Sequence, residues 1–353
     1  MKFSKIQSKK RKIMFTKFFS KLSVVLSVAS LAACGGGGAG STPDSNSSSP
    51  TSPTIIPANL QTTVPAPTYQ AGSVELQAFT ELNNFRKMVG LGLLSQNSKI
   101  DLAAANHANY IAVNIDADVT VFGHYEVATK AGFTGIAPGD RTSFTGYGPV
   151  ASEVAISNNF NATQQTPIEG FVGTVYHRSG LLNQCPRDVG IGYQNHTTPA
   201  GLIANPLIID LGYSQTIGCQ TNASNFVYSY PVADQVNVPV SMNSESPFPF
   251  PDMPKNQYQN FDVANLTSYP ISIGVYAGYV LTMDSMTVTE QGQTVPLQMR
   301  FLTNANDPNK LLSAEQMVFV GYAPFKSATK YNVLFKGAAN GITITKSFSF
   351  TTK

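Results

Sequence analysis

Histidine is rare in this sequence: the 353 residues include only four. Two of the four, His107 and His177, fall in segments with helical periodicity. An imidazole ring can bind a divalent metal through one nitrogen, or it can transfer protons near neutral pH. A carboxylate close by would serve either chemistry, as a second ligand or as a general base. His107 and His177 are therefore the first candidate site residues.

The neighbours of the two histidines favour different roles. His107 shares its helical face with alanine, tyrosine and isoleucine, so the alternative for it is a satisfied histidine in the core. His177 ends the third helical pattern, and the glycines and threonine on its face leave room for a ligand to approach. The alternative for His177 is a structural role at a helix C-terminus, where it and Arg178 would complement the helix dipole.

Three helical patterns and several strand patterns would position these residues. The helices are predicted to begin after Ser73, at Ser98 and at Pro167, and the third extends to His177. Alternating and continuously apolar stretches predict strands between and after them. Helices mixed with antiparallel-type strands predict an α+β fold with layered packing. The predicted strands lie at 189–193, 207–213 and 225–230.

The character of the chain changes after about residue 230, where helical periodicity almost disappears. A proline cluster, SPFPFPDMP, is followed by short strand patterns separated by turn residues. Seven or so short strands in this length predict an all-β, immunoglobulin-like sandwich over 231–353. The strand patterns are VNVPVSM, PISIGVYAG, LTMDSMTV, TVPLQM, QMVFVGY, KYNVLF and GITITKSFSF.

The N-terminal residues have the pattern of an export signal. Eight lysines and arginines and no acid precede an apolar run from Leu22 to Ala33, which is too short to span a bilayer as a helix. The ending Leu-Ala-Ala-Cys34 resembles the bacterial lipobox, which predicts a signal peptide at 1–33 and a lipid on Cys34. The alternative is an ordinary secretory signal. Residues 34–70, rich in glycine, serine and proline, are predicted to form a flexible linker to a membrane anchor in the cell envelope.

Charge and cysteine content narrow the class of protein further. Without the eight N-terminal bases, the chain has 15 lysines and arginines against 20 acids, which gives a formal charge of −5. A nucleic-acid-binding protein would need a basic surface, so this class is excluded. Cys185 and Cys219 remain as an even pair in an oxidising compartment, and we expect a disulfide between them.

The motifs of the first half together resemble the CAP superfamily, also called SCP, of cysteine-rich secretory, antigen 5 and pathogenesis-related-1 proteins. The similarity covers about 71–230. The segments that carry it are NNFR, the helix IDLAAANHANYIAVN, GHYE, GFTGIAPGDR, SEVAI and VYHRSGLLNQCPRDVGIGY. The resemblance implies an α-β-α sandwich over 71–230. Immunoglobulin-like domains follow CAP domains in some bacterial proteins, and 231–353 resembles these.

The resemblance also implies a cleft lined by two histidines and two acids. By position in the motifs, His107 and His177 are the two histidines and Glu153 of SEV is one acid. These three are the predicted ligands for a divalent metal such as zinc. His124 and Glu126 of GHYE are further candidates for the cleft, because the fourth ligand is not evident. Glu169 is one more, but an acid in the first turn of a helix is also favoured by the helix dipole.

Three functions are consistent with these features. The first is an extracytoplasmic lipoprotein whose cleft binds a lipid, a peptide or an envelope-derived ligand. The second is a metal-assisted hydrolase that uses the same cleft, with a bound water as the nucleophile. The third is an adhesion or scaffold protein that interacts through the immunoglobulin-like domain. The sequence contains neither an HExxH helix nor a GxSxG elbow, so it does not point to a reaction.

Overall fold

A computed structural model describes residues 54–148, 150–157, 166–199, 201, 204–213, 216–255 and 261–353. Pro53–Lys353 form one compact unit. The predicted signal peptide, the predicted lipidation site Cys34 and the first part of the predicted linker lie outside the described residues. Among the described residues, none of the helices is both long and apolar enough to cross a bilayer.

Residues 54–70, which were assigned to the linker, run along the first half of the protein. Asn59 pairs with Thr221 through backbone hydrogen bonds. The side-chain amide of Gln61 donates to the carbonyl oxygens of Leu93 and Arg187, at 3.1 and 3.0 Å. The compact unit therefore begins well before residue 71, where the linker was predicted to end.

The helices of the first half begin and end at residues with the expected capping chemistry. The Ser73 hydroxyl accepts the N–H of Leu76 at the start of α1, and Gly90, with a φ of 86°, ends that helix. Asn97 caps α2 in the same way. Among the described residues, the helices of the first half are α1 (Val74–Val89), α2 (Ser98–Asn114), α3 (Pro138–Phe144), α4 (Pro167–Val172) and α5 (Tyr176–Leu181), and α6 (Val263–Leu266) lies in the second half.

A four-stranded sheet lies at the centre of the first half. Its order is β1-β3-β4-β2, with β4 antiparallel to both neighbours and β1 parallel to β3. The prediction of strands at 189–193 and 207–213 is confirmed. The strands are β1 (Ser95–Gln96), β2 (Val150–Ser157), β3 (Asp188–Tyr193) and β4 (Pro206–Gly212).

Helices cover both faces of this sheet. On one face, Ala155 and Ile208 join a buried cluster with α2. On the other face, Ile191 and Ile209 pack with residues of α1, α4 and α5. The glycines of β3 permit the close approach of α2, because a Cβ at Gly190 would lie 2.2 Å from the backbone of Ile100. In the alternating VGIGY pattern, the apolar side chains therefore pack on one face of the sheet. The glycines lie on the other face, in contact with the backbone of α2.

The third helix of the sequence analysis is divided in two. It was predicted to run from Pro167 to His177, but α4 ends at Val172 and α5 begins at Tyr176. Thr174 turns its hydroxyl back to the carbonyl oxygen of Phe171, at 2.7 Å, and thereby helps to end α4. His177 consequently lies in the first turn of a new helix, and the proposed C-terminal role for it is wrong.

The second half consists of two four-stranded sheets packed on each other. Their orders are β5-β7-β10-β9 and β6-β12-β11-β8. Phe319 and Phe335 meet between the sheets, with ring centroids 6.1 Å apart. The strands are β5 (Val227–Tyr230), β6 (Gln235–Val238), β7 (Ile271–Val275), β8 (Leu281–Glu290), β9 (Met299–Thr303), β10 (Gln316–Gly321), β11 (Lys330–Ala339) and β12 (Ile342–Thr352).

Two details of the second half differ from the sequence-based expectation. The pattern TVPLQM is not a strand, because Pro296 lacks an N–H for a ladder; β9 begins only at Met299. β5, which ends at the predicted boundary of 230, pairs with β7. The strand that was placed at the end of the first domain thus belongs to a sheet of the second half.

The two halves share a polar interface centred on α5. The Tyr176 hydroxyl donates to Asp307, and the Ser179 hydroxyl donates to the side chain of Gln316, each at 2.5 Å. The Gln184 amide donates to the carbonyl oxygen of Val275 at 2.7 Å. Every one of these contacts joins the segment around α5 to the second half, so the halves hold each other in a fixed arrangement.

Arg178 is buried at the middle of this interface. Its guanidinium donates to the carbonyl oxygens of Val172 and Pro270, one from each half. It also lies over the rings of Tyr230 and Tyr269, at 4.9 and 4.5 Å. Burial lowers the pKa of Arg178, and the two tyrosines partly compensate. The charge is held by carbonyl dipoles and aromatic faces.

Replacing this side chain is expected to weaken the whole protein. Arg178→Ala would leave carbonyl oxygens unpaired and a cavity between the halves, which should lower the free energy of unfolding by about 2–4 kcal/mol. Chemical denaturation of the variant and of the exposed control Lys87→Ala would measure the difference. Equal stabilities would contradict this account of the interface.

Cys185 and Cys219 form the expected disulfide, at a sequence separation of 34. It joins the turn after α5 to the segment that precedes β5. The backbone of Gln220 donates to the carbonyl oxygen of Cys185 at 3.0 Å, so the two segments also pair locally.

Removal of the disulfide should therefore destabilise the protein without changing its fold. In the loop-entropy model, opening a loop of this length costs about 4 kcal/mol. The double variant Cys185→Ser/Cys219→Ser should unfold at a lower denaturant concentration, and reducing agent should then have no further effect on it. A variant as stable as the oxidised parent would refute this estimate.

Candidate functional site

A pocket of about 570 Å³ opens where the first half meets the second. His124, Glu153 and His177 of the first half line one side of it. Asn309 and Leu311 of the second half line the other side. A larger cavity, of about 670 Å³, lies between α1, α4 and β6 but contains no histidine. The smaller pocket is therefore the candidate site, because it alone of the two brings imidazole and carboxylate groups together.

His124 and Glu153 form an ion-pair-like contact at the base of the pocket. The Nδ1 atom of His124 lies 2.8 Å from Oε1 of Glu153. About 35% of the His124 side chain is exposed, against 1% for Glu153. His124 lies in the loop after the 3₁₀ turn Val119–Val121, whereas Glu153 projects from the middle of β2. A ligand in the pocket would therefore meet the imidazole before the carboxylate.

Two further ionisable groups, Arg141 and Asp210, affect the ionisation of Glu153. Arg141 of α3 is fully buried and donates to the second oxygen of Glu153. Burial alone would raise the pKa of Glu153, but the hydrogen bond with His124 and the charge of Arg141 lower it overall. Asp210 lies opposite Glu153 on β4, and burial together with the charge of Glu153 raises its pKa well above the usual range. Glu153 therefore carries the negative charge, and Asp210 is the protonated partner.

His177 lines the opposite part of the pocket in an electrically neutral form. Its Nδ1 lies 3.2 Å from the hydroxyl of Thr174 and 3.5 Å from Oε2 of Glu245. Burial, and then repulsion from His124, lower its pKa to about 4. Burial also raises the pKa of Glu245 to about 7, although backbone N–H groups of Val175 and Tyr176 oppose the shift. The Nε2 atom of His177 has no hydrogen-bond partner among the described residues.

His107 does not line the pocket. It is fully buried on α2, with Nδ1 2.9 Å from Oε1 of Glu126 and Nε2 2.8 Å from the carbonyl oxygen of Gly123. Each ring nitrogen thus has a hydrogen-bond partner, and neither is free to bind a ligand. The structure thus places His124, rather than His107, beside Glu153 and His177. The core alternative that its apolar neighbours suggested describes His107 better.

Glu126 and Glu169 are engaged in local structure. Glu126 is buried, and its second oxygen accepts the backbone N–H of Thr134 at 2.7 Å. It therefore holds the 123–135 loop against α2. Glu169 forms a capping box with Thr166 at the start of α4. Neither acid lines the pocket that contains His124 and His177.

The predicted metal ligands His107, His177 and Glu153 do not fit a metal ion as they are arranged. Both nitrogens of His107 are already hydrogen-bonded, so His107 has no free ligating atom and the predicted set of three is incomplete. Within the described ranges, no three histidine, cysteine or acidic side chains are grouped as a metal ion requires. The donors that are present suit hydrogen bonding to a polar ligand group.

Sequence reasoning missed two important acids, Asp210 and Glu245. Asp210 had a local signal, because it is an acid inside the apolar run LIIDLGY. Glu245 had none, since it precedes the proline cluster and acts on a helix 68–70 residues earlier in the chain. Its role depends on how the two halves meet.

Comparison with known proteins adds little to this picture. No family model and no curated protein match the chain. A solved structure that aligns with it is a crystal structure of an extracellular protein containing a SCP domain from Bacillus anthracis str. Ames. The alignment has 18% identity and a TM-score of 0.30, and it covers 39% of this chain and 40% of that chain. A likeness of this size carries no argument about fold or function.

The protonation state of His177 can be tested directly. With a pKa of about 4, its ring should remain neutral between about pH 5.5 and 8. His177 therefore binds a proton more readily in the unfolded chain than in the folded protein. As the pH falls from about 6.5 to 4, this difference lowers the free energy of unfolding. Nitrogen NMR of ¹⁵N-histidine-labelled protein would follow all four rings. A His177 titration midpoint near the usual value of about 6.5 would contradict the burial argument.

Proposed function

We propose that this protein is an extracytoplasmic CAP-type protein that binds a small ligand in the pocket at His124, Glu153 and His177. The ligand classes that the pocket suits are a lipid, a peptide or an envelope-derived molecule with a polar group near the two imidazoles. The observation that carries the proposal is the pocket itself, which gathers a hydrogen-bonded His124–Glu153 pair and a neutral His177 beside a solvent-reachable space.

The pocket combines two kinds of surface. Its base is polar, because Nδ1 of His124 is hydrogen-bonded to the carboxylate of Glu153. Its rim includes apolar side chains, of which Tyr125 is 69% and Leu311 is 53% exposed. Binding sites for small molecules commonly combine apolar walls with a few fixed polar groups. A ligand with a polar head and an apolar part would match both surfaces.

Several features of the sequence support an extracytoplasmic location. The export-signal pattern, the lipobox-like ending at Cys34 and the disulfide between Cys185 and Cys219 all suit an oxidising compartment. The motifs SEV and YHR, which carried the resemblance to the CAP superfamily, supply Glu153 and His177 to the pocket. Lipid anchoring through Cys34 and an immunoglobulin-like identity for the second half belong to the same proposal.

Binding is favoured over metal-assisted hydrolysis by the state of the donor atoms. A hydrolytic zinc site needs three protein ligands with free atoms, and His107, one of the three predicted ligands, has both ring nitrogens in hydrogen bonds. Binding is also favoured over a scaffold role for the second half alone, since Asn309 and Leu311 of that half line the pocket.

The proposal predicts that bound ligand follows the pocket histidines. The full chain, purified from a bacterial envelope, would be extracted with organic solvent and analysed by mass spectrometry. The His124→Gln and His177→Gln variants should contain at most about one tenth of the parental amount of any co-purified molecule. The reason is that a polar group of the ligand would lose its hydrogen-bond partner. His196→Gln is the matched control, as His196 pairs with Asp116 outside the pocket.

The same samples distinguish the alternatives. Equal amounts of ligand in all four proteins, or none in any, would refute the binding proposal. Stoichiometric zinc in the parent and in His196→Gln, but not in His177→Gln, would instead support the hydrolase. Elemental analysis of each preparation measures this outcome.

A further inference from the structure

We infer that Glu245, a residue of the second half, is a positioning residue for His177. It holds the imidazole in the tautomer that presents an unprotonated Nε2 to the pocket. Only the role of this nitrogen in ligand binding rests on the proposed function. The arrangement itself is a property of the protein without ligand.

The carboxylate of Glu245 caps the start of α5. One oxygen accepts the N–H of Val175 at 2.7 Å, and the other accepts the N–H of Tyr176 at 2.9 Å. The second oxygen also receives the more distant N–H of His177, at 3.4 Å. Its side chain is only 1% exposed, so water does not compete for these donors. The backbone that carries His177 is therefore fixed by a residue 68 positions away in the sequence.

The same oxygen faces the ring of His177. Oε2 of Glu245 lies 3.5 Å from Nδ1, and the hydroxyl of Thr174 lies 3.2 Å from the same nitrogen. That hydroxyl donates to the carbonyl oxygen of Phe171, so it can only accept from the ring. Both neighbours of Nδ1 are acceptors, which places the single proton of the neutral ring on Nδ1. The Nε2 atom is then an acceptor for a ligand.

The segment that delivers Glu245 is itself anchored to the break between α4 and α5. The backbone N–H of Asn243 donates to the carbonyl oxygen of Gly173 at 2.8 Å, and its side chain donates to that of Gly170 at 3.1 Å. A Cβ at Gly173 would lie 2.3 Å from the Asn243 amide, so this approach needs glycine. Asn243 thus closes the end of α4 while Glu245 caps the start of α5.

The consequence is that the first half alone has an incomplete site. Without the 243–245 segment, the N-terminal N–H groups of α5 lose their acceptor, and Thr174 becomes the only partner of Nδ1 among the described residues. The ring could then rotate, or exchange its proton to Nε2, the form that dominates for histidine in water. The second half is therefore part of the binding machinery as well as a wall of the pocket.

Nitrogen NMR of the ¹⁵N-histidine-labelled full chain without ligand tests the inference. At about pH 8, where Glu245 is ionised, His177 of the parent should show the Nδ1–H tautomer. Glu245→Gln replaces one acceptor oxygen with an amide NH₂, which would donate to Nδ1 or leave a backbone N–H unpaired. We expect the His177 signals to move toward the Nε2–H tautomer in this variant.

Two controls separate positioning from stability. Thr166→Ala removes the cap of α4 but leaves Glu245 in place, so it should lower the melting temperature without changing the His177 tautomer. Thr174→Val removes the other acceptor at Nδ1 but keeps the Glu245 carboxylate, so it should shift the tautomer less than Glu245→Gln does. Thermal unfolding of each variant shows that it is folded before its spectrum is compared.

Three results would overturn the inference. The parent could show the Nε2–H tautomer, Glu245→Gln could leave the tautomer unchanged, or Thr166→Ala could shift it as much as Glu245→Gln does. The first result is decisive even if the Glu245 variant does not fold. These spectra require no ligand, so a failure here is distinct from the absence of a co-purified molecule, which bears only on the proposed function.

Discussion

The capping of α5 by Glu245 is the contact on which the pocket depends. A buried carboxylate from the second half accepts two backbone N–H groups of the first half and lies against the ring of His177. Helix starts normally find such acceptors within a few residues of the same chain segment. Here the acceptor comes from the other half, so the helix, the interface and the site form together. Arg178, one residue after His177, strengthens the same junction through carbonyl groups of both halves.

A second set of buried charges holds the other side of the pocket. Arg141 lies between two acids: it donates to Glu153, and its Nε is 3.9 Å from Glu126. Glu126 in turn binds His107, and Glu153 binds His124. Only His124 of this series is substantially exposed. Buried charges are tolerated when they are paired, and each basic side chain of the series lies against a carboxylate. Glu153 of this series orients His124, whereas Glu245 orients His177.

The sequence predicted the parts of this arrangement that depend on local patterns. The starts of α1, α2 and α4, the strands β3 and β4 and the Cys185–Cys219 bridge could all be predicted from capping residues, periodicity and cysteine count. The pocket could be predicted only in part, because the choice between His107 and His124 depends on which ring is buried. Motif position favoured His107, although its apolar helical face had already indicated the core.

The remaining features are set by contacts across the chain. The break between α4 and α5 interrupts a regular apolar stripe, and it forms because Asn243 and Glu245 satisfy the exposed backbone groups. Hydrogen exchange of the Val175 and Tyr176 amides measures this junction most directly. We predict that both exchange as slowly as the amide of Ile209 in the central strand β4, through global unfolding alone. Exchange as fast as that of exposed loop amides would contradict the claim that the second half caps α5 and completes the site.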